Sequence, residues 1–513
     1  MVASMAVNST HPDYDENLPA WLRARDVVAG EDAVKSAGEK YLPRLESQTD
    51  EEYHAYRARA AFFNASARTA EGYLGLICRR PPFVKVPDKS SAIGKALGEF
   101  CNDADMLGTP LAGYGQAIVS EVIAVGRAGT LVDWEGEVEN RVYVSRYAAE
   151  DILNWQTERI NGRNLLTMVV LAEKAEVRSK EEGASTSPRP SPQSGEGEDA
   201  FGQKVVDQIR VLKLVGGRRS LAAGMRKRDY HCQVEIWQPK FRPDGSQQKR
   251  AGRLQWRCLE TRTPLRRGKP LPLIPFVFHG PRHSLPEVSK LPLSDIISVN
   301  LDHYRLDADY KHGMHFTALP TAWVSGFDKG STLRIGSSTA WVTETQGATA
   351  GFLEYTGQGL TTFERAMDRD ERLMAVLGAR LLEGQRKIGE TAQAIELRHS
   401  GENSILSNLA LSASSSLTQV LRWAYWWNST EDLPDHVTNE SVVMELNTDF
   451  AMKGMTAQEL TAVVKAWQSG AISRDSMLHL FRKGEILPEG RTTQEEEDLI
   501  GADKTPAATV AAK

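Results

Sequence analysis

The sequence predicts an α+β fold on three observations. The first ninety residues carry apolar positions at helical spacing. The middle of the chain holds a succession of short runs rich in Val, Ile and aromatics, the pattern of strands. After Pro292 the helical period returns. At 513 residues the chain exceeds what one hydrophobic core supports, so two to four domains are expected.

The elements follow in order. "AWLRARDVVAGEDAVKSAGEKYL" and "TDEEYHAYRARAAFFNASARTAEGYLGLICRRPP" each read as helix. Thr49 or Asp50 caps the second, Glu51 and Glu52 favour its positive N-terminal end, and Pro81-Pro82 ends it. A further helix is expected over about 109–126, followed by the strand "AGTLVDW". "RVYVSRY", "LLTMVVLAEKA", "VVDQIRVLKLV", "DYHCQVEIWQP", "RLQWRCLETR" and "LIPFVFH" then build an antiparallel sheet. The Ser-, Pro- and Gly-rich piece 181–199 lacks the apolar residues needed to order and is expected to be a disordered insertion in a hairpin. Leu293, Ile296, Ile297, Leu301, Tyr304 and Ala308 fall on one stripe of a helix ending near Gly313. "FTALPTAWVSG" and "STAWVTE" read as short strands, and "GLTTFERAMDRDERLMAVLGA" as a helix over about 359–380. A glycine-bearing link leads to a long helix from near Thr391 to Asn428, with a kink around Gly401. The strand "SVVMELN" and two helices, capped by Thr456 and Ser473 and closed by Gly470 and Gly484, complete the fold before a frayed tail.

Composition removes several function classes. No secretory leader is expected from the opening "MVASMAVNSTHPDYDENLP", and no window of about 18 residues is apolar enough to span a membrane. The four cysteines, Cys78, Cys101, Cys232 and Cys258, form no C-x-x-C pair and read as reduced thiols. The net charge of −5 argues against a surface that grips nucleic acid everywhere. There is no phosphate-cradling G-x-x-x-x-G-K-[ST], no H-E-x-x-H and no G-x-S-x-G elbow. No catalytic residue, cofactor or metal is therefore expected.

Three segments attract chemical interest. "LDHYRLDADYKHGMH", residues 301–315, packs three Asp and three His into fifteen positions. Those residue types build metal sites, and a metal-dependent hydrolase is the alternative function they suggest. Asp302 and Asp309 share a helix face, with Arg305 between them and His312 one turn on; His303 and Asp307 form an i, i+4 pair on another face. The competing expectation is a charged helix face that pairs along one helix or between helices. The aromatic run "WAYWW", Trp423–Trp427, ends a helix with many leucines and reads as core. Residues 204–270 carry eighteen Lys and Arg against five Asp and Glu. That balance fits a solvated sheet face or a nucleic-acid-binding adaptor surface.

The order of segments from 286 onward, "HGMHFTALPTAWVSG", "FERAMDRDERLMAVLGARLL" and "ETAQAIELRHSGENSILSNLA", resembles the portal proteins of tailed bacteriophages. More narrowly, it looks like a portal-like family long catalogued as a domain of unknown function. "FFNASARTAEGYLGLICRRPP", "AAEDILNW" and "AWQSGAISRDSM" share the likeness, which spans about residues 15–495. Order and spacing carry it rather than any single motif, and the insertion at 181–199 departs from it.

The resemblance implies a portal-like fold with an α/β wing, a two-helix stem, a small β-containing clip, a long kinked wing helix and a helical C-terminal region. On this sequence it implies a flexible N-terminus at 1–14 and a wing over 15–290. The stem helices become 291–314 and 359–380, flanking a clip at 315–357. A tunnel loop at 381–390, a wing helix and strand at 391–450, a crown or C-terminal helices at 456–485 and a flexible tail at 490–513 complete the set. It further implies a homo-oligomeric ring, a dodecamer, at one capsid vertex of a virion assembled in the host bacterial cytoplasm. Its partners would be double-stranded DNA in the channel, the terminase large subunit, a head-completion or neck adaptor protein, the major capsid protein and a scaffold. Gln385, Arg386 and Lys387 would meet DNA in the channel. Asp302, Arg305, Asp309 and His312 would form a subunit-contact or channel-facing stripe. A ring uses two different faces of each subunit, and a conduit must not bind phosphate tightly, which suits a net-acidic chain.

Overall fold

The structure is a computed structural model. It describes residues 6–500 apart from 89, 137–138, 161–162, 178–203, 217–229, 242–246, 251–252, 319–320, 328–340, 342–343, 354–358, 379–391, 431–440, 449, 451–456, 484–485, 488–495 and 497–498. The fold is α+β. Its first part runs α1 (Pro12–Ala29), α2 (Glu31–Ser36), α3 (Asp50–Arg59), α4 (Ala65–Ile77), β1 (Phe83–Lys85), α5 (Ala92–Asn102) and α6 (Leu111–Val125). The strands β2 (Ala128–Glu135), β3 (Arg141–Ala148), β4 (Ile152–Ile160), β5 (Arg163–Val177), β6 (Lys204–Gly216) and β7 (Tyr230–Pro239) follow. Two short hairpins, β8 (Lys249–Arg250) with β9 (Arg253–Leu254) and β11 (Leu265–Arg266) with β12 (Lys269–Pro270), flank β10 (Trp256–Arg262), and β13 (Phe276–His279) closes the region. Then come α7 (Ser294–Ala318), β14 (Thr321–Ser325), β15 (Thr349–Leu353), α8 (Leu360–Leu377), α9 (Ala392–Asn428), β16 (Val443–Glu445), α10 (Ala457–Gln468) and α11 (Arg474–Lys483).

The chain divides into two compact units. The first comprises Met1–Trp21, Glu71–Pro292 and Lys387–Lys513. Its β region is two antiparallel sheets rather than the single sheet expected: a five-stranded β10-β7-β6-β5-β4 and a three-stranded β13-β2-β3. Tyr147 on β3 donates to Glu173 on β5 at 2.6 Å, and Arg210 on β6 donates to the same carboxylate oxygen at 2.7 Å. Arg210 and Glu173 are 2% and 3% exposed, so this is an ion pair held out of water. Burial alone lowers the arginine pKa, but Glu173, Tyr147 and Asp133 outweigh it, and the guanidinium stays charged.

The long helix α9 forms the other wall of this core. Leu406, Leu409, Leu417, Val420, Leu421, Trp423, Trp426 and Trp427 are buried, so the aromatic run is core. Gly115 eases the close approach to α6: a Cβ there would stand 2.9 Å from the Met444 methyl and 3.2 Å from Leu417, and both side chains would have to shift. A polar chain threads the same core. Tyr114 on α6 hydrogen-bonds Thr130 on β2, Thr130 meets His279 Nε2 at 2.6 Å, and His279 Nδ1 meets Ser416 on α9 at 2.7 Å.

His279 is fully buried, and burial pushes its pKa down to about 3. The folded state therefore resists a proton that the unfolded chain takes near pH 6.5. The stabilisation is complete above that pH and is lost as the pH falls towards 3. Between pH 6.5 and 5, above the carboxylate range, unfolding free energy should fall by about 1 kcal/mol per pH unit, steepening towards the acid end. Urea titrations at several pH values check this, and His279→Gln should flatten that part of the profile.

The second unit comprises Leu22–Ala70 and Leu293–Arg386. Here α7 and α8 lie side by side in antiparallel register, and β14 and β15 pair as a hairpin between them in sequence. Helix α7 runs to Ala318, past the expected end near Gly313. The second strand of the hairpin is β15 at Thr349–Leu353, not the expected "STAWVTE"; of that stretch, Trp341 and Glu344 are described and lie outside any strand. The cap at Thr49 is present in full: its hydroxyl accepts from Glu52 N–H while Glu52 accepts from Thr49 N–H.

Two predicted helices are broken: the first at Gly30, whose φ of +108° parts α1 from α2, and the second between α3 and α4. Residues 60–64 leave the helical path between α3 and α4, and α7 supplies the reason. Asp307 accepts from the Ala61 amide at 2.6 Å. Asn300 donates to the Phe63 carbonyl at 2.6 Å and accepts from both the amide and the hydroxyl of Ser66. Backbone groups released from the helix thus find partners on α7.

Candidate functional site

The Asp- and His-rich segment forms most of α7, and its side chains divide by face. Arg305 donates to the Tyr41 carbonyl at 2.9 Å. Asp309 accepts from the Tyr56 hydroxyl at 2.6 Å, and burial followed by this hydrogen bond holds the tyrosine in its protonated form. Asp307 also pairs with Lys311 at 3.1 Å. On the side towards α8, His303 approaches Glu371 at 3.5 Å and Tyr310 donates to Glu364 at 2.7 Å. His312 packs edge-on against Tyr56 and Phe316, and burial, then Arg59, lowers its pKa. Asp302 is exposed, with Arg305 at 3.8 Å beside it.

Of the four residues of the expected stripe, Arg305, Asp309 and His312 therefore contact the 41–59 part of their own chain, and Asp302 faces solvent. The i, i+4 pair His303 and Asp307 diverges, one towards Glu371 and the other to the Ala61 amide. Among the described residues no three His, Cys, Asp or Glu side chains gather as metal ligands would. These carboxylates serve chain-internal hydrogen bonds that sequence spacing could not reveal, because their partners lie some 250 positions away.

Gln385, Arg386 and Lys387 lie outside the described residues, as do the insertion 181–199, Thr456 and Gly484. In the basic stretch 204–270, several charges are spent inside the chain. Arg210 is buried against Glu173 and Lys213 pairs with Glu235. Arg266 stacks over Trp426 at 4.0 Å and donates to the Ser429 carbonyl at 2.5 Å. No described helix is long and apolar enough to cross a membrane.

Helix α8 carries two charged rows. Glu364, Asp368 and Glu371 follow one helical row, and two of them meet α7. Arg365, Arg369 and Arg372 follow the next row round, all exposed. Asp370, 4% exposed, has its pKa raised by burial and then by the charge of Asp302. The signal was present as i, i+4, i+7 spacing in "ERAMDRDER".

A family described as a domain of unknown function, DUF4055, matches residues 292–428, from the start of α7 to the end of α9. No curated protein matches the chain. Among solved structures, a chain of the virion of a native gene transfer agent particle is 11% identical, with 90% of this chain and 99% of that one covered and a TM-score of 0.37. A chain from the neck of the empty particle, computed with C6 symmetry, is 11% identical, covers 90% and 100%, and has a TM-score of 0.35. A third, from the neck of the native particle computed with C12 symmetry, shows 11% identity, 90% and 99% coverage and a TM-score of 0.35.

Proposed function

We propose that this chain is a structural component of a phage-type head and neck, and specifically a portal-like subunit that forms a ring around a DNA channel. One observation carries the reading. From 294 to 428 the elements follow the order helix, β-hairpin, helix, long helix, and this order coincides with the segments that resemble portal proteins. In that reading α7 and α8 are the stem, β14 and β15 belong to the clip, and α9 crosses the wing. Packaging force would come from a separate motor, the terminase large subunit. A neck adaptor, the major capsid protein and a scaffold would dock on the outer surfaces.

The function asked of such a ring is passage rather than capture. Duplex DNA presents one charge per about 1.7 Å of axis, so a densely basic channel would arrest it. A net-acidic subunit with a few cations at a constriction meets this need. Gln385, Arg386 and Lys387 are proposed for that constriction. Arg386→Ala/Lys387→Ala should leave ring assembly intact and reduce packaged or retained DNA, measured as DNA per particle. Loss of the ring itself would place these residues elsewhere. The location is tested by gold-labelling a tagged chain in assembled particles. Label at a single vertex supports the reading; label over the whole shell or on none of the particles contradicts it.

A further inference from the structure

We infer that the exposed arginine row of α8, Arg369 and Arg372 above all, docks against Asp302 on α7 of a second copy of this chain. The inference rests on the ring reading and names the contact that would close the ring.

Charge complementarity between exposed groups on the two helices of the hairpin carries it. Arg365 and Arg372 have no carboxylate within ion-pair distance among the described residues. Arg369, with its side chain 78% exposed, reaches only its neighbour Asp370, at 4.0 Å. The acidic counterpart is on α7. Asp302 has its side chain 65% exposed and only a 3.8 Å contact with Arg305, whose Nε is committed to the Tyr41 carbonyl. Asp302 also lies near enough to the buried Asp370 for the two carboxylates to repel.

Geometry supports the register. Copies in a closed ring share one height, because a rise between them would give a filament instead. Within one hairpin, Tyr310 meets Glu364 and His303 meets Glu371. The same antiparallel register sets Asp302 level with Arg372 and within one turn of Arg369. The α7 face of one copy and the α8 face of the next thus meet with opposite charges at equal height. The row continues into Val376, 52% exposed, with Leu373 and Leu377 beside it at 39% and 42%. An apolar flank of that kind shields an ion pair from water and strengthens it.

A charge swap in the full-length protein tests the contact, with assembly followed by native mass spectrometry across a concentration series. Asp302→Arg alone, and Arg369→Glu/Arg372→Glu alone, should each raise the concentration for half-assembly at least tenfold. The combined variant should return to within about threefold of the parent, because the pair is restored in reverse. Failure of the combined variant to improve on either parent variant would overturn the contact. So would an Arg369→Glu/Arg372→Glu protein that assembles normally but retains less DNA, which would turn the row towards the channel. A parent protein that never assembles would overturn the ring reading, and this contact with it. Circular dichroism verifies folding. If a reversal variant loses its helical signal, Arg369→Gln/Arg372→Gln replaces it; weakened assembly is expected, and unchanged assembly would again overturn the contact.

Discussion

Glu173→Ala is expected to destabilise the first unit by about 3–5 kcal/mol, the cost of leaving a buried charge without its partner. The substitution removes the acceptor for Arg210 at 2.7 Å, for Tyr147 at 2.6 Å and for Gln208 at 2.9 Å. Arg210 cannot escape to water, being 2% exposed, and it is too basic to shed its proton. The two sheets would also lose the hydrogen bond from β3 to β5. Urea unfolding followed by tryptophan fluorescence measures the effect. Replacing both ions, as Glu173→Met/Arg210→Met, should recover much of the loss, since the penalty belongs to the orphaned charge rather than to the absence of the pair. A single variant as stable as the parent would show that water reaches this site.

Asn300→Ala should cost about 2–4 kcal/mol in the second unit. Asn300 is fully buried and satisfies three groups at the break between α3 and α4: the Phe63 carbonyl, the Ser66 amide and the Ser66 hydroxyl. Each buried group left unpaired costs about 1–3 kcal/mol, offset in part by relaxation and entering water. The loss should be local as well as global. Limited proteolysis should show new cleavage within residues 60–64 of the variant, while sites in the first unit keep their parent rates. Asn300→Asp should be intermediate, because it keeps the acceptor for Ser66 and loses the donor to Phe63.

These two sites show which information was legible in the sequence. Local signals were read correctly where the partner is close in the chain. The Thr49 cap needs only Glu52, three residues on, and the turn after α10 needs only Gly470, whose φ is +77°. Ser473 caps α11 by accepting from the Ser476 amide. The apolar stripe of α7 likewise announced its buried face, from Leu301 through Tyr304 to Ala308. Helix α5 was missed although Ser91 caps it by accepting from the Gly94 amide. Strand β4 was missed because exposed Gln156, Thr157, Glu158 and Arg159 break its alternation.

Where the partner is distant, the sequence carries no local signal. "ARAAFFNASARTA" has nothing that stops a helix, and the break appears only when Asn300 and Asp307 reach it from α7. The Asp and His residues of α7 suggested a metal by type. Their roles are set by Tyr41, Tyr56, Ala61 and Glu371, which no spacing within α7 reveals. The single expected sheet is two for the same reason: the strand signals were present, but pairing is a long-range property.

In the proposed function this chain closes into a ring that DNA can traverse. Native mass spectrometry of the purified full-length protein, with negative-stain imaging of the same sample, tests it most directly. One dominant closed assembly of fixed copy number is expected, seen end-on as a ring with a central channel. A protein that stays monomeric at high concentration and in assembled capsids would contradict it.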